Sequence, residues 1–218
     1  MYAITLNILG GMLLYLSIQI SNIFIMIIFF WLGIDLILIA LGYLLNNEKV
    51  FNKKENGKIY TINKIILLPY LLYTQIIWYL VIIFSKEDKF NQITEELIIG
   101  RRLLKEIPKD VINCIDLTCE FDESKKIISK INYISIPILD GNTPNILLLE
   151  KGLDKLKKGK TYVHCAQGHG RTGVLAIILL VKSNKCKTYS DAIKLIQENR
   201  KKLKLNKKQS NFIKQYFE

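Results

Sequence analysis

The fold of this chain is decided by the stretch His164-Cys165-Ala166-Gln167-Gly168-His169-Gly170-Arg171-Thr172-Gly173. An apolar segment, Thr161 to Val163, precedes the cysteine, and a longer one, Val174 to Val181, follows the arginine. This pattern predicts a strand, a loop and a helix. The thiol of Cys165 then lies where the loop begins, and the guanidinium of Arg171 lies where the helix begins.

Such a loop is suited to bind a tetrahedral dianion. Its backbone N–H groups point into one concavity, and the helix N-terminus adds partial positive charge. Gly168 and Gly170 can take the backbone angles that a tight cradle requires. Arg171 supplies a planar fork that matches two phosphate oxygens at once. The residues expected to bind phosphate are Ala166, Gln167, Gly168, His169, Gly170 and Arg171.

Cys165 is the predicted nucleophile, because a helix N-terminus and a nearby cation stabilise a thiolate. Its attack gives a phosphocysteine, which splits hydrolysis into two easier steps. We expect Thr172 to donate a hydrogen bond to the departing thiolate and His164 to orient the loop from behind. His169 has two interpretations, a charge that favours a polyanionic substrate or a side chain that merely faces solvent.

The pattern His164-Cys165, five residues and Arg171-Thr172 resembles the signature of the cysteine-dependent protein tyrosine phosphatases. The glycines at 168, 170 and 173 make it similar to the small dual-specificity phosphatases and the phosphoinositide phosphatases. A bare Cys-x5-Arg would be weak evidence, whereas the flanking His, Gly and Thr make this loop highly specific.

Three further segments resemble the same family. Ile136-Pro137-Ile138-Leu139-Asp140 is similar to the strand that leads into its general-acid loop. Residues 203–209 are similar to its C-terminal segment, with an Asn and a Gln three apart, and residues 98–101 resemble its opening strand. The resemblance covers about residues 90–218 and implies a phosphatase. Its mechanism needs no metal and no organic cofactor.

Asp140 is the expected general acid, since a leaving alkoxide or phenoxide needs a nearby proton donor. It follows an apolar strand and begins the turn-like segment Asp140-Gly141-Asn142-Thr143-Pro144. Loops at strand ends hold such residues over a pocket. The alternative is a residue that only shapes a turn, and the spacing to Cys165 is short for the family. Asp116 and Asp122 are the other candidate acids.

Three long apolar stretches occupy residues 2–20, 22–45 and 65–84. Each approaches the ~20 residues needed to cross a bilayer. The short link between the first two predicts a helical hairpin over about residues 2–45, followed by a third apolar helix over about residues 62–84. We therefore expect a membrane region over residues 1–84.

Asp35 lies near the middle of the second stretch. An ionisable group in a membrane helix indicates a function or a polar partner. The alternative is an aspartate that faces the hairpin and has only a packing role.

The side of the membrane depends on the third stretch. The segment between residues 46 and 58 contains four lysines, which places it in the cytoplasm by the positive-inside rule. If the third stretch spans, residues 85–218 lie outside the cytoplasm; if it lies in the interface, they lie inside. Its central aromatic residues, Tyr70, Tyr73, Trp78 and Tyr79, favour the interface. We expect an integral protein of an inner or plasma membrane with a cytoplasmic catalytic domain, a location that also keeps Cys165 reduced.

The net charge of +12 is concentrated in the second part of the chain. Residues 1–84 carry a net charge of +2, and residues 85–218 carry +10. A basic domain suits an anionic membrane surface and phosphorylated substrates, although a Lys-rich composition of the whole chain accounts for part of the excess. No nucleic-acid recognition motif is present, so a nucleic-acid partner is not expected.

Residues 85–218 show an alternating pattern of strands and helices. The predicted strands are Glu96–Gly100, Val111–Leu117, Ile131–Ile138 and Thr161–His164. Helices are predicted to open at Thr143-Pro144, to run from Arg171 to about Ser183, and to be capped by Thr188-x-x-Asp191 and Asn206-x-x-Gln209. This order predicts an α/β fold, a largely parallel sheet with helices on both faces, forming a dual-specificity phosphatase-like catalytic domain.

These observations lead to three hypotheses of function. The first is a membrane-bound phosphomonoester hydrolase acting on a lipid phosphate, such as phosphatidylglycerophosphate or a phosphoinositide. The second is a membrane-anchored protein phosphatase with a tyrosine or dual-specificity substrate. The third is an inactive adaptor that only binds phosphate groups. Partners are accordingly membrane lipids and a phosphorylated lipid or a phosphoprotein.

Overall fold

The computed structural model describes residues 2–218 and divides into two compact units. The first comprises the chain up to residue 53 with residues 59–84 and 119–121; the second comprises residues 54–58, 85–118 and 122–218. The two units have different cores and are described in turn.

The first unit is helical. Its elements are α1 (Tyr2–Gln19), α2 (Ile23–Leu44), a 3-10 turn (Glu48–Val50), α3 (Thr61–Ile66) and α4 (Leu68–Phe84). Helix α2 begins with a side-chain cap, because the Asn22 carboxamide oxygen accepts from the N–H of Phe24 at 3.1 Å. α1 and α2 form an antiparallel hairpin across a short link.

Glycines allow the two hairpin helices to approach closely. A Cβ on Gly10 would lie 2.9 Å from the carbonyl oxygen of Gly33, and a Cβ on Gly33 would lie 2.9 Å from that of Gly10. Gly11, the next residue of α1, has open space around it instead. The contact between the backbones therefore depends on Gly10 and Gly33 and not on the general glycine content of α1.

The third apolar stretch forms two helices instead of the single helix predicted over about residues 62–84. α3 ends before Leu67 and α4 begins at Leu68, with Pro69 in its first turn. Pro69 lacks an N–H, and its ring excludes the helical position of the carbonyl four residues earlier, so a continuous helix is disfavoured.

Asp35 of α2 caps the second of these helices. Its side chain is fully buried, and Oδ2 accepts a hydrogen bond from the backbone N–H of Tyr70 at 2.7 Å. That N–H is one of the first donors of α4, which have no partner within their own helix. The acidic residue in the apolar helix therefore has a polar partner.

The second unit contains a five-stranded sheet. Its strands are β1 (Phe90–Gln92), β2 (Leu97–Arg101), β3 (Val111–Thr118), β4 (Asn132–Ile138) and β5 (Lys160–Cys165). The strand order is β1-β2-β5-β3-β4. Only β1 is antiparallel to its neighbour; the other pairs are parallel, so their carboxyl ends meet at one edge.

Helices cover both faces of this sheet. They are α5 (Lys125–Ile128), α6 (Ile146–Leu153), α7 (Gly170–Lys182), α8 (Tyr189–Asn199) and α9 (Lys207–Phe217). The larger core joins one face to α7, which is buried along most of its length. A smaller core on the other face includes Ile98, Cys114, Tyr162 and Ile127 of α5.

The predicted α/β fold is confirmed, with a mostly parallel sheet and the Cys165 strand at its centre. The predicted helix start at Thr143-Pro144 is wrong. α6 begins at Ile146, because Asn145 adopts an extended conformation and its side chain caps the N–H of Leu148 at 3.2 Å. β1 and α5 were not predicted, since three and four residues carry too little periodicity to be recognised.

Candidate active site

The loop singled out in the sequence joins the central strand to a buried helix. Cys165 is the last residue of β5, and Gly170 is the first of α7. The Cys165 thiol is buried, and its sulfur accepts a hydrogen bond from the N–H of Gly168 at 3.3 Å. The carbonyl of Cys165 accepts from the N–H of Arg102 at 2.8 Å, which ties the start of the loop to the end of β2.

Gly168 is required by two features of the loop. Its φ is +74°, a left-handed conformation that side chains disfavour. A Cβ there would also lie 2.3 Å from the carbonyl carbon of Gly100 in β2. Gly170 is similarly crowded, since its Cβ would lie 2.8 Å from Oε1 of Gln209. The two glycines let the loop fold tightly against β2 and α9.

Arg171 and Asp140 come together at the carboxyl edge of the sheet. The guanidinium of Arg171 is buried and donates from NH1 to the carbonyl of Ile138, at the end of β4, at 2.9 Å. Its NH2 lies 3.2 Å from Oδ1 of Asp140, whose side chain is 76% exposed. An exposed carboxyl thus faces the buried fork that the sequence assigns to phosphate binding.

The segment that carries Asp140 is held by the start of α9. Asn206 donates from its carboxamide to the carbonyl of Gly141 at 2.7 Å. Gln209, which is buried, donates to the carbonyl of Asn142 at 3.2 Å, and Lys208 donates to the Asn142 side chain at 2.8 Å. Asn206 and Gln209 also form the capping box of α9, as the sequence predicted. These contacts fix the acid-bearing segment and do not involve the Asp140 side chain.

Arg200 is a site residue that the sequence did not indicate. It follows α8, its side chain is 1% exposed, and it donates to the carbonyls of Gly168 at 2.8 Å and Gln167 at 3.0 Å. Arg200 holds these two carbonyls on one side of the loop, so the backbone N–H groups of the loop can point to the opposite side. In a chain with 31 Lys and Arg residues, no local pattern distinguishes it.

His169 contacts protein groups through both ring nitrogens. Nε2 lies 2.8 Å from Oε2 of Glu87, and Nδ1 lies 3.2 Å from the carbonyl oxygen of Lys202. Of the two interpretations given by the sequence, the solvent-facing side chain does not describe this ring, which has partners on either side.

His164 lies behind Cys165 in a buried polar cluster. Its Nε2 is 3.4 Å from Glu123 Oε2, its Nδ1 is 4.0 Å from Asp116 Oδ1, and its ring stacks on Tyr162. Asp116 is fully buried and accepts from the hydroxyl of Tyr133 at 2.8 Å. The cluster fastens the end of β5 to β3 and β4.

The same cluster is the group of described residues whose spacing would suit a cation. Ligand atoms of Asp116, Glu123 and His164 all lie within 4.8 Å of one another. Burial raises the pKa of Glu123, while the positive charges of His164 and Arg102 oppose that rise. Because the groups of the cluster lie between β3, β4 and β5 in the protein interior, we interpret it as a polar support for the loop.

The remaining predicted residues have distinct positions. Thr172, in the first turn of α7, is buried, and its hydroxyl has no hydrogen-bond partner among the described residues. Of the alternative acids, Asp116 is enclosed in the cluster, and the Asp122 carboxylate lies 3.8 Å from the ammonium group of Lys58. Asp140 is therefore the candidate acid that faces Arg171.

Comparison with known families gives a match for this region. The model of the dual specificity phosphatase catalytic domain matches residues 105–218. The chain is also 40% identical over 63 residues to 197R of Invertebrate iridescent virus 6, a protein whose name assigns it to the tyrosine phosphatases. That alignment covers 25% of this chain and 24% of the viral protein, so the chain spans about a quarter of the length of this curated relative.

Solved structures resemble the same part of the molecule. PTPMT1 in complex with PI(5)P superposes with a TM-score of 0.52 at 20% identity, covering 59% of this chain and 94% of that one. A mutant form of Tk-PTP gives a TM-score of 0.52 at 19% identity, covering 58% and 93%. At such identities the likeness concerns the fold alone.

Proposed function

Because the chain belongs to the dual specificity phosphatase family and is a cysteine-dependent phosphatase, we propose that it is a membrane-bound phosphomonoester hydrolase acting on a lipid phosphate. Phosphatidylglycerophosphate and phosphoinositides are the lipid classes that we consider. One observation carries this proposal. The same chain contains the loop from Cys165 to Arg171, which we call the phosphate loop, and a helical unit whose apolar side chains face outward.

The apolar unit supports a membrane location. α2 is long and apolar enough to cross a bilayer by length and composition, and only 22% of its most apolar window is buried. It is the only helix of the described residues that reaches this length. Among the described residues, all but five of the exposed large apolar side chains lie between residues 4 and 84. Tethering to a membrane raises the effective concentration of a lipid substrate.

In the first step, the Cys165 thiolate attacks phosphorus while Arg171 and the loop N–H groups hold the phosphate oxygens. A sulfur–phosphorus bond forms, and the bond from phosphorus to the ester oxygen breaks. Asp140 gives its proton to that oxygen, so the alcohol leaves neutral. The contact between Asp140 and Arg171 supports this role, because it brings the carboxyl to the fork that would hold the phosphate.

In the second step, water attacks the phosphocysteine. Asp140 accepts a proton from the water, a bond from phosphorus to oxygen forms, and the sulfur–phosphorus bond breaks. The departing Cys165 thiolate accepts a hydrogen bond from Thr172, whose hydroxyl has no other described partner. His164 supports the loop from behind, and no step requires a metal or an organic cofactor.

We place residues 1–84 at the membrane and residues 85–218 in the cytoplasm. α4 has 17 residues, fewer than the ~20 of a typical span, and it is separated from α3 at Leu67. A short helix that is rich in aromatic residues suits the interface better than a crossing. The lysine-rich segment that follows α2 would then lie on the same side as the catalytic domain.

A second candidate function is favoured by the viral relative. Its name places it among the tyrosine phosphatases, and the chemistry of the loop would act equally on a phosphorylated side chain. The alternative is therefore a membrane-anchored protein phosphatase.

The test compares both substrate classes on one preparation. The full chain is purified in detergent and returned to vesicles that contain phosphatidylglycerophosphate or a phosphoinositide, and phosphate release is measured beside phosphotyrosine and phosphothreonine peptides. We expect kcat/KM to be at least about tenfold higher for one of the lipids. Faster cleavage of the peptides would overturn the proposed lipid phosphatase and support the protein phosphatase.

Two matched cysteine variants control this experiment. Cys165→Ser should abolish turnover and prevent phosphoenzyme formation. Cys186→Ser changes a buried thiol outside the loop and should leave turnover intact. Absence of a phosphoenzyme on Cys165 in the unaltered protein would instead support a phosphate-binding adaptor.

A further inference from the structure

The segment between α4 and β2 contributes a charged contact to the phosphate loop. Residues 85–92 precede the part of the chain that matches the phosphatase family, which begins at residue 105. Nevertheless, the Glu87 carboxylate lies 2.8 Å from His169 Nε2 inside the loop. It also lies 3.3 Å from NH2 of Arg200, which binds the loop from outside.

Arg200 connects the same segment to the loop carbonyls. Its NH1 donates to the Asn91 side chain at 2.7 Å and to the carbonyl of Asp88 at 3.2 Å. Its other nitrogens hold the carbonyls of Gln167 and Gly168. Residues 87–91 are thus joined to the phosphate loop through one buried guanidinium as well as through His169.

These contacts are sheltered from solvent. The side chain of Glu87 is 18% exposed, that of His169 is 27% exposed, and that of Arg200 is 1% exposed. Hydrogen bonds between ionised groups are stronger than neutral ones. Removal of the Glu87 charge would leave the buried guanidinium without its carboxylate, which is costly.

We propose that Glu87 is a positioning residue of the active site, which fixes the phosphate loop by holding His169 and Arg200 together. Residues 85–92, which follow α4, therefore help to position a loop whose nucleophile lies in the part of the chain that matches the phosphatase family. This inference rests on the phosphocysteine chemistry proposed above, and it is independent of the lipid substrate.

The test uses the full chain in detergent with Glu87→Gln, which keeps the shape and removes the charge. Two probes are independent of lipids, turnover of a soluble aryl phosphate and binding of inorganic tungstate measured by calorimetry. We expect kcat/KM to fall about tenfold, less than the ~10²-fold that follows a displacement of a full ångström, and tungstate to bind about tenfold more weakly.

The direction of the change in tungstate binding separates positioning from simple charge. Loss of a negative charge near an anion site should by itself strengthen anion binding. Weaker binding therefore indicates a misplaced loop, whereas unchanged or tighter binding overturns the proposal. Because tungstate binding needs no turnover, a chain that proves inactive on every phosphate ester would refute the proposed function and still test this contact.

A double-mutant cycle tests whether Glu87 acts through His169. If it does, Glu87→Gln should cost at least about threefold less in tungstate affinity when His169→Ala is already present. Full additivity would overturn the contact with His169. Asn91→Ala removes a contact of Arg200 from the same segment, and we expect it to weaken tungstate binding in the same direction if Glu87→Gln does not fold.

The matched control is Glu96→Gln. Glu96 makes an exposed pair with Lys185 at 3.9 Å and precedes the first residue of β2, at the opposite end from the loop. The same chemical change there should leave both probes within about twofold of the unaltered protein. A loss as large as that of Glu87→Gln would overturn the specific role of Glu87.

Discussion

The two units of this protein direct their apolar side chains in opposite directions. In the second unit, the apolar side chains of the sheet and of α7 point inward, and Ile99, Ile115 and Val163 have no exposure. In the first unit, residues of α1, α2 and α4 that are equally apolar point outward. Apolar segments of similar hydropathy therefore face two different environments, the protein interior in one unit and, as we propose, lipid in the other.

The contrast extends to what holds each unit together. The catalytic unit is stabilised by a packed core and by polar side chains that bind loop carbonyls. The helical unit contains a close contact between the backbones at Gly10 and Gly33, and the buried carboxylate of Asp35 caps one of its helices. Small residues at helix crossings are typical of association within membranes, where apolar burial adds little.

The largest expected effect is on chemistry in the second unit. Asp140→Asn removes the proton donor that we propose and should lower kcat by about 10²-fold. Binding of inorganic tungstate and the rate of Cys165 alkylation should persist, since the phosphate loop itself is unchanged. Full turnover by this variant would assign the proton transfer to another acid.

The next effect concerns the first unit. Gly10→Ala places a Cβ 2.8 Å from the Ile37 side chain and 2.9 Å from the carbonyl oxygen of Gly33, so we expect a loss of about 1–3 kcal/mol in unfolding free energy. Gly11→Ala is the matched neighbour with open space and should be neutral or slightly stabilising. Thermal unfolding in detergent, followed by circular dichroism, measures both variants. Equal behaviour of the two would contradict the close helix contact.

The smallest effect is the pH dependence of a surface network in the second unit. Lys182 donates to Glu150 at 2.7 Å, Tyr216 also donates to it, and these bonds hold the pKa of Glu150 below its ordinary 4.5. Because its pKa is lower in the folded state, ionised Glu150 stabilises the fold above pH 4.5. This contribution is lost as the pH falls through the pKa of the folded state. Because both charges are about 40% exposed, Glu150→Gln should cost less than about 0.5 kcal/mol at neutral pH.

Denaturant unfolding of the Glu150→Gln variant measures this difference as the pH is lowered. The unfolding free energies of the unaltered protein and of the variant should converge once Glu150 is protonated in both the folded and the unfolded state. A difference that grows at low pH would contradict the sign of the shift.

The sequence was sufficient where function depends on neighbouring residues. The loop from Cys165 to Arg171 is contiguous, its glycines are local requirements, and the strands around it have clear periodicity. The capping pairs at Thr188 and Asn206 were recognised for the same reason, since a cap involves only three or four residues.

The sequence was insufficient where contacts join distant residues. Glu87 and Arg200 lie far apart along the chain, and a charged residue in a lysine-rich sequence gives no sign that it will be buried. Hydropathy does not predict the break in the third apolar stretch, because it does not register that Pro69 lacks an N–H. Pro144 predicts a start of α6 that is too early, because Asn145 caps the helix instead.

The hydrogen bond from Asn206 to Gly141 joins residues that are 65 positions apart, and this separation sets an order of events during synthesis. At about 5–20 residues per second, a ribosome needs on the order of several seconds to pass from Gly141 to the side chains that hold it. Cys165 and Arg171 emerge within that interval. A nascent chain therefore contains its proposed nucleophile several seconds before the segment that carries its proposed acid is secured, and that segment stays unsecured until the start of α9 has emerged.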